Sequence, residues 1–316
     1  MNLYLRLIWT LLRAWRAPRL AVGDTLTRTL RTDGPLARTA LHGGSVTLQS
    51  RRGVLLQAGS SIDVDGGAVV TASGVQGGSG GSISLASGRA DVTGSANLLL
   101  GGSLSGHALS RPGSLSIATD SIRIGSAAPG GPVASTTLDA GFFSRGGFAS
   151  YSLDGREFLD LAAGTVIAPR LDAWTAAPGL RDAPTGSALD AYVTAPAGAL
   201  APLPAAVNVS LASGAGALTV GAGAGLSLAA GATAQLEANS RLTMDGEIRA
   251  TGGSVTLRLT RSGPQEGQDY DNAQYLWLGG RSLIDVSGGT VLTPAANGLR
   301  QGTVLDGGRI TLDAAT

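Results

Sequence analysis

One short phrase occurs five times along the chain, and it limits what the chain can fold into. It first stands as Gly43-Gly44-Ser45-Val46-Thr47-Leu48 and returns as Gly80-Gly81-Ser82-Ile83-Ser84-Leu85. It comes again as Pro112-Gly113-Ser114-Leu115-Ser116-Ile117, Gly252-Gly253-Ser254-Val255-Thr256-Leu257 and Gly307-Gly308-Arg309-Ile310-Thr311-Leu312. Self-similarity of this kind marks repeat architectures. In each copy aliphatic residues alternate with Ser or Thr, a period of two with one apolar and one polar face. β-branched residues and Thr suit a pleated surface. The Gly pair ahead of each run is expected to supply the positive φ of a sharp corner. Each unit therefore reads as a corner, a strand of about four to six residues, and another corner.

A second phrase occurs twice, as Ser61-Ile62-Asp63-Val64-Asp65-Gly66-Gly67 and Leu283-Ile284-Asp285-Val286-Ser287-Gly288-Gly289. The order is kept: first phrase, second phrase, first phrase again, across 43–85 and across 252–312. Strands this short cannot bury an apolar face alone. Stacking each on its equivalent in the next coil, about 4.8 Å away, solves that and builds ladders of Val, Leu and Ile. Spacings of 37 residues (Ser45 to Ser82) and 32 residues (Ser82 to Ser114) fit one to two variable coils each. A β-propeller needs a tighter period, and a leucine-rich repeat needs fixed Leu and Asn offsets that this chain lacks.

Composition agrees with a thin repetitive core. Gly is 49 of 316 residues and aromatics only 4%, while 43% apolar content is too high for a disordered chain. Of the 23 basic residues, all Arg, six fall in residues 1–31 beside a single Asp. The remaining 17 face 21 acidic residues, so the body should not attract nucleic acid. The lack of Cys excludes disulfides and thiolate metal sites, and it suits export of an unfolded chain.

Four regions follow. Residues 1–40 stand apart from the repeats as an amphipathic helix and linker, with Leu3, Leu7, Ile8, Leu11, Leu12 and Trp15 on one side and Pro18 as the stop. The helix is too short to span a bilayer and makes a poor signal peptide, since Arg6 and Arg13 bracket a short apolar run. It reads either as an interfacial membrane helix or as a packing helix. Residues 41–125 are coils. Residues 126–206 break the pattern as an excursion that holds Pro178, Pro184, Pro196, Pro202 and Pro204 and all four Phe: Phe142, Phe143, Phe148 and Phe158. Residues 207–316 resume the coils through Val209/Leu211, Leu218/Val220, Leu226/Leu228 and Leu242/Met244. No polar capping coil follows the last phrase, so the coils read as truncated. About 20–25 residues per coil would give a rod of roughly 50–60 Å.

The repeated phrases are similar to those of the filamentous-haemagglutinin family of two-partner-secreted exoproteins. The likeness covers residues 41–316. Arg145-Gly146-Gly147-Phe148-Ala149-Ser150-Tyr151-Ser152-Leu153-Asp154-Gly155 also resembles a segment found between repeat blocks of that family. The resemblance implies an all-β, right-handed, single-stranded parallel β-helix (a solenoid). It further implies an outer-membrane transporter partner, a host or bacterial surface receptor, and an extracellular or cell-surface location as part of a larger adhesin. The family's N-terminal secretion domain, with its Asn-Pro-Asn motifs, and any C-terminal effector or barrel domain are missing from this sequence. Separately, Met1-Asn2-Leu3-Tyr4-Leu5-Arg6 through Pro18-Arg19-Leu20 and Asp24-Thr25 resembles the opening of a group of hotdog-fold acyl thioesterases. Nothing downstream continues that fold, and no activity is carried over.

The rival class is a carbohydrate-active β-helix enzyme, which needs convergent acids, often with Arg or Ca²⁺. Asp63 and Asp65 alternate and can face outward together, but the sister copy has Asp285 and then Ser287, which favours solvated turn residues. Asp154, Glu157 and Asp160 are spaced to meet a Ca²⁺ and read more simply as a solvated excursion. Glu266, Asp269 and Asp271 read the same way. His42 and His107 lack partners at metal spacing and read as surface residues. Gly221-Ala222-Gly223-Ala224-Gly225 lacks the Lys and helix of a phosphate loop and reads as a corner. No catalytic, cofactor or metal residue is assigned, and the expectation is a shaft without enzymatic activity. Rigid β-helical attachment is the expected function; the carbohydrate-active enzyme and a non-functional remnant are the alternatives.

Overall fold

The computed structural model describes residues 19–21, 26–28, 40–71, 74–88, 97–126, 133–171, 174–194, 205–260, 274–294 and 299–314. They form an all-β chain built on one large, mostly parallel sheet, with 3-10 turns at Ala140–Ser144, Pro178–Asp182 and Leu189–Tyr192. None of the helices among the described residues is long and apolar enough to cross a membrane. The helix expected over residues 1–17 lies outside the described residues.

The repeated phrases become rungs of a single ladder. In chain order the rungs are Ser45–Ser50, Ser82–Ser87, the first half of Gly113–Ile124, the first half of Phe148–Leu161, Asn208–Ser213, Thr233–Ala238, Ser254–Leu259 and Arg309–Asp313. Each pairs in parallel with the next. The registers place Val46, Ile83, Leu115, Tyr151, Val209, Ala234, Val255 and Ile310 in one column. Leu48, Leu85, Ile117, Leu153, Leu211, Leu236, Leu257 and Leu312 form the next. From Ile83 to Val255 and from Leu85 to Leu257 every member is buried to 2% exposure or less. Burial on this scale contributes roughly 1.5–3 kcal/mol per large aliphatic side chain, and it is available only because neighbouring rungs share one register.

From Phe148–Leu161 onward, the chain visits two further parallel ladders between successive rungs. One joins the second halves of Gly113–Ile124 and Phe148–Leu161 to Ala217–Val220, Arg241–Met244 and Tyr275–Leu278. The other joins Val166–Ile167, Gly225–Leu228, Glu247–Ala250 and Leu283–Asp285. Lower in the molecule, Gly53–Leu56 pairs with Asn97–Leu100, and Ser61–Asp63 lies between Arg19–Ala21 and Ser103–Ser105. The spacings of 37 and 32 residues thus correspond to one rung each. Eight rungs make seven steps of about 4.8 Å, roughly 34 Å in all. This is shorter than the length expected from 20–25 residues per coil, because the chain between rungs is often longer than that.

The Gly-Gly corners work differently from the expectation. Positive φ occurs at Gly252, but Gly43, Gly81, Gly253 and Gly308 do not adopt it. Close backbone approach explains the requirement for glycine. A Cβ on Gly81 would lie 1.8 Å from the Gly44 carbonyl oxygen, and one on Gly308 would lie 1.8 Å from that of Gly253. Corners ahead of neighbouring rungs therefore stack backbone on backbone.

The second phrase also folds the same way twice. Asp63 Oδ1 accepts the Asp65 N–H at 2.9 Å, and Asp285 Oδ1 accepts the Ser287 N–H at 3.0 Å. The Val64 carbonyl accepts from Gly81 N–H and the Val286 carbonyl from Gly308 N–H. Each copy then runs into an antiparallel hairpin, Ala68–Thr71 with Gly74–Gly77 and Gly289–Pro294 with Arg300–Leu305.

Residues 126–206 differ from a simple excursion. Phe148–Leu161 is a 14-residue strand in register with rungs on both sides. Phe143, Phe148 and Tyr151 lie in the main core at 1% exposure, where Tyr151 meets the rings of Phe142, Phe143 and Phe148. The preceding Arg145-Gly146-Gly147 makes a turn with positive φ at both glycines. Its Arg145 carbonyl accepts the Tyr151 hydroxyl at 2.8 Å. Burial pushes the Tyr151 phenol well above its ordinary pKa, outweighing the Arg145 charge and the hydrogen bond at Phe148. A phenol whose folded-state pKa is raised holds its proton longer when folded, so stability falls as pH rises beyond the ordinary value of about 10. Thermal melts across the alkaline range should show this loss, and Tyr151→Phe should remove it. At neutral pH the same variant should cost about 1 kcal/mol for the orphaned carbonyl.

Candidate functional site

The described residues 174–194 of the Pro-rich region pack on the first hairpin. Residues 174–194 fold back as a flap whose base is the short pair Thr175–Ala176 with Val193–Thr194. The two 3-10 turns at Pro178–Asp182 and Leu189–Tyr192 aim Leu180 and Leu189 inward, and both are fully buried. They pack with Ala183 on Ala68 of the first hairpin, bordered by Val70, Val75, Leu109, Trp174, Tyr192 and Val193. This small second core is separate from the main one. Leu180→Ala should therefore expose the flap to limited proteolysis within 174–194, at a local cost of about 2–3 kcal/mol. The main cooperative unfolding transition should stay in place. A shift of the whole melt would show that the flap is integral to the ladder.

Under the rim of the flap lies a polar cluster. Asp65 Oδ1 accepts the Ser105 hydroxyl and the His107 N–H, both at 2.6 Å. Ser105 Oγ lies 2.9 Å from His107 Nδ1, and the imidazole stacks on the Trp174 indole at 4.6 Å and 4°. With Asp65 as a carboxylate, Ser105 must give it the hydroxyl proton. His107 Nδ1 then donates to the serine oxygen. That direction is opposite to a serine nucleophile activated by an imidazole base. The cluster is chemically a clamp, holding corner, strand and flap together. His107 also lies over Gly147, where any Cβ would fall 2.1 Å from its ring.

Asp63 and Asp65 are thus not solvated turn residues: they are 8% and 4% exposed, with Asp63 in register with Ser105 and Asp65 bonded to Ser105 and His107, some 40 residues away. His107 is likewise half-buried against Asp65 and Trp174. Their counterparts Asp285 and Ser287 keep the turn, and the Ser287 hydroxyl, then its N–H, hold the exposed Asp285 carboxyl below the usual range. His42 is exposed and accepts the Ser79 N–H on Nδ1 at 2.9 Å.

Asp154, Glu157 and Asp160 do not converge. Asp154 accepts the Gly214 N–H on the first ladder, and partial burial raises its carboxyl. Glu157 is exposed at the corner, and Asp160 pairs with Arg123 in the next ladder at 2.9 Å. Arg156 similarly pairs with the buried Asp120. The pairs at Asp120 and Arg123 escaped sequence reading, although Thr119-Asp120-Ser121-Ile122-Arg123 places two charges inside an apolar strand. Among the described residues no group of three His, Cys, Asp or Glu could hold a metal ion. Gly221 to Gly225 forms a tight corner, with Ala224 N–H donating to the Gly221 carbonyl. Glu266, Asp269 and Asp271 lie outside the described residues.

The chain matches no family model, and no curated protein or solved structure matches it.

Proposed function

We infer that the chain is a length of right-handed parallel β-helix that serves as a stiff shaft in a large secreted bacterial surface adhesin of the filamentous-haemagglutinin type. The observation that carries this reading is the eight-rung ladder, whose strands return in chain order with aliphatic columns inside. From Phe148–Leu161 onward the chain passes through two further parallel ladders before each return, as a three-sided solenoid would wind. Such a rod would hold a recognition surface away from the cell. The flap at 174–194 is the best placed surface for a receptor, since loops on a rigid scaffold carry recognition. Export would use an outer-membrane transporter partner, as the family resemblance implies.

The test is an immunoblot of cytosol, outer membrane and medium with antibody raised against residues 252–316. A band far above the 31.4 kDa of this chain, at the surface or in the medium, is the expected result. A band near that mass confined to cytosol would overturn the adhesin reading.

One observation favours the carbohydrate-active alternative: a shallow groove lined by Arg123, Glu157, Asp160 and Arg241. Its Asp160 is already tied to Arg123, which leaves it poorly placed as an acid or base. Release of reducing ends from a polysaccharide panel would establish that alternative, and Glu157→Gln should then abolish it.

A further inference from the structure

The ladder that runs from the second half of Phe148–Leu161 through Ala217–Val220 to Arg241–Met244 carries a groove on its outer face. Leu159, Leu161, Leu218, Val220, Leu242 and Met244 are fully buried, so their neighbours along each strand point outward. The registers set Phe158, Ala217 and Arg241 in one outward column, and Arg123, Asp160 and Thr219 in the column beside it. Phe158 and Arg241 stand two steps apart, roughly 9.6 Å, with only the methyl group of Ala217 between them. Gly216 keeps the adjoining corner bare, because a Cβ there would lie 1.7 Å from the Glu157 carbonyl oxygen. The result is an open cavity of about 490 Å³, the size of a small-ligand site.

The polar groups of this groove are only partly used. Arg123 lines it and yet is 4% exposed. Its Nε donates to Asp160 Oδ2 at 2.9 Å, and its guanidinium carbon lies 6.0 Å from the centre of the Phe158 ring. Among the described residues nothing accepts from its two terminal nitrogens. Buried donors of this kind call for an acceptor, and the groove is where one can enter. Arg241 and Glu157 are exposed at the rim, and neither has an ion pair among the described residues.

Charge narrows the choice of ligand. Arg123 and Arg241 are balanced by Glu157 and Asp160, so an anion gains from the first pair what it loses to the second. A hydroxyl group both donates and accepts, and a ligand rich in hydroxyls meets all four. We propose that the groove binds a neutral sugar. The pyranose ring lies over Ala217, between Phe158 and Arg241. Its hydroxyl oxygens accept from the terminal nitrogens of Arg123 and from Arg241, and its hydroxyl protons go to Glu157 and to Asp160 Oδ1. The sugar is held and not cut, since Asp160 is engaged by Arg123. The assignment rests on this groove alone, and it holds or fails independently of the adhesin reading.

The probes are cellotriose, maltotriose and mannotriose, with trigalacturonic acid as the charged counterpart. Saturation-transfer NMR with the full chain should show saturable binding of at least one neutral trisaccharide and none of the acid. Ala217→Leu raises the floor of the slot at an outward position, so it should leave the melt in place and abolish binding. Arg241→Ala should weaken binding about tenfold, the scale of one hydrogen bond to a charged group. Arg123→Gln should abolish it too, and Ala217→Leu decides the matter where Arg123→Gln fails to fold. No binding of any neutral trisaccharide, full binding by Ala217→Leu, or tighter binding of the acid would each overturn the proposal. Release of reducing ends from a bound trisaccharide would overturn it as well, in favour of catalysis in the same groove.

Discussion

Ile83→Asp should destabilise the chain by on the order of 4 kcal/mol or more. Ile83 is 1% exposed and lies between Val46 and Leu115 in the first column. A carboxylate there would be surrounded by aliphatic groups of its own rung and of both neighbours, with no cation or donor to meet it. It would either remain charged at a large desolvation cost or take up a proton and leave polar atoms unsatisfied. Thr47→Asp, on the exposed outward face one rung below, should change stability by no more than about 0.5 kcal/mol. Urea unfolding followed by far-UV circular dichroism separates the two. Equal losses would show that the inward and outward faces have been assigned to the wrong residues.

Gly81→Ala should be nearly as damaging, for a reason unrelated to burial of apolar surface. Its new Cβ would fall 1.8 Å from the Gly44 carbonyl oxygen and 2.8 Å from the Gly43 carbonyl carbon. Backbone atoms of a paired coil cannot rotate aside as a side chain can. The Gly81 N–H bond to the Val64 carbonyl and the Ser82 N–H bond to the Gly44 carbonyl tie both coils at this point. The corners must therefore part, at about 3 kcal/mol or more. Gly179→Ala provides the contrast. Nothing lies within 4 Å of its Cβ position and its φ is ordinary, so stability should hold or rise slightly. Thermal melts of the two variants would distinguish stacking from flexibility as the role of the corner glycine. Similar losses in both would refute the stacking account.

These contrasts show which features were legible in the sequence. Period-two alternation gave the rungs at Val46, Ile83, Leu115, Val255 and Ile310, because a strand covered on one face by equivalent strands must alternate. The order of the two phrases marked equivalent corners, and the structure repeats their hydrogen bonds. The Phe148–Leu161 strand was hidden for a local reason. Its register slips against Gly113–Ile124 near Gly113 and again between Thr119 and Ser121, and Asp154-Gly155-Arg156-Glu157 separates its buried Leu153 from Leu159. That stretch then looks like a loop although the backbone stays extended. Burial of Asp65 was hidden for a non-local reason: its partners Ser105 and His107 lie about 40 residues further along the chain, and no pattern around position 65 encodes them. The role of the glycine pairs was misjudged because composition shows that a Cβ is absent without showing what occupies its place.

The ladder sets its rungs at even spacing, but the chain stored between them is uneven. Val209 to Ala234 is 25 residues and Ala234 to Val255 is 21, whereas Tyr151 to Val209 is 58 and Val255 to Ile310 is 55. Hydrogen bonds between rungs point along the stacking direction, so a pull on one end loads them one rung at a time, like a zip. Each release would free the slack held behind that rung. At about 3.4 Å per extended residue that is roughly 70 Å for the shortest parcel and nearly 200 Å for the longest. A ladder of uniform pitch would thus yield in unequal strides, giving little in its Ala234 region and paying out long tethers on either side of it.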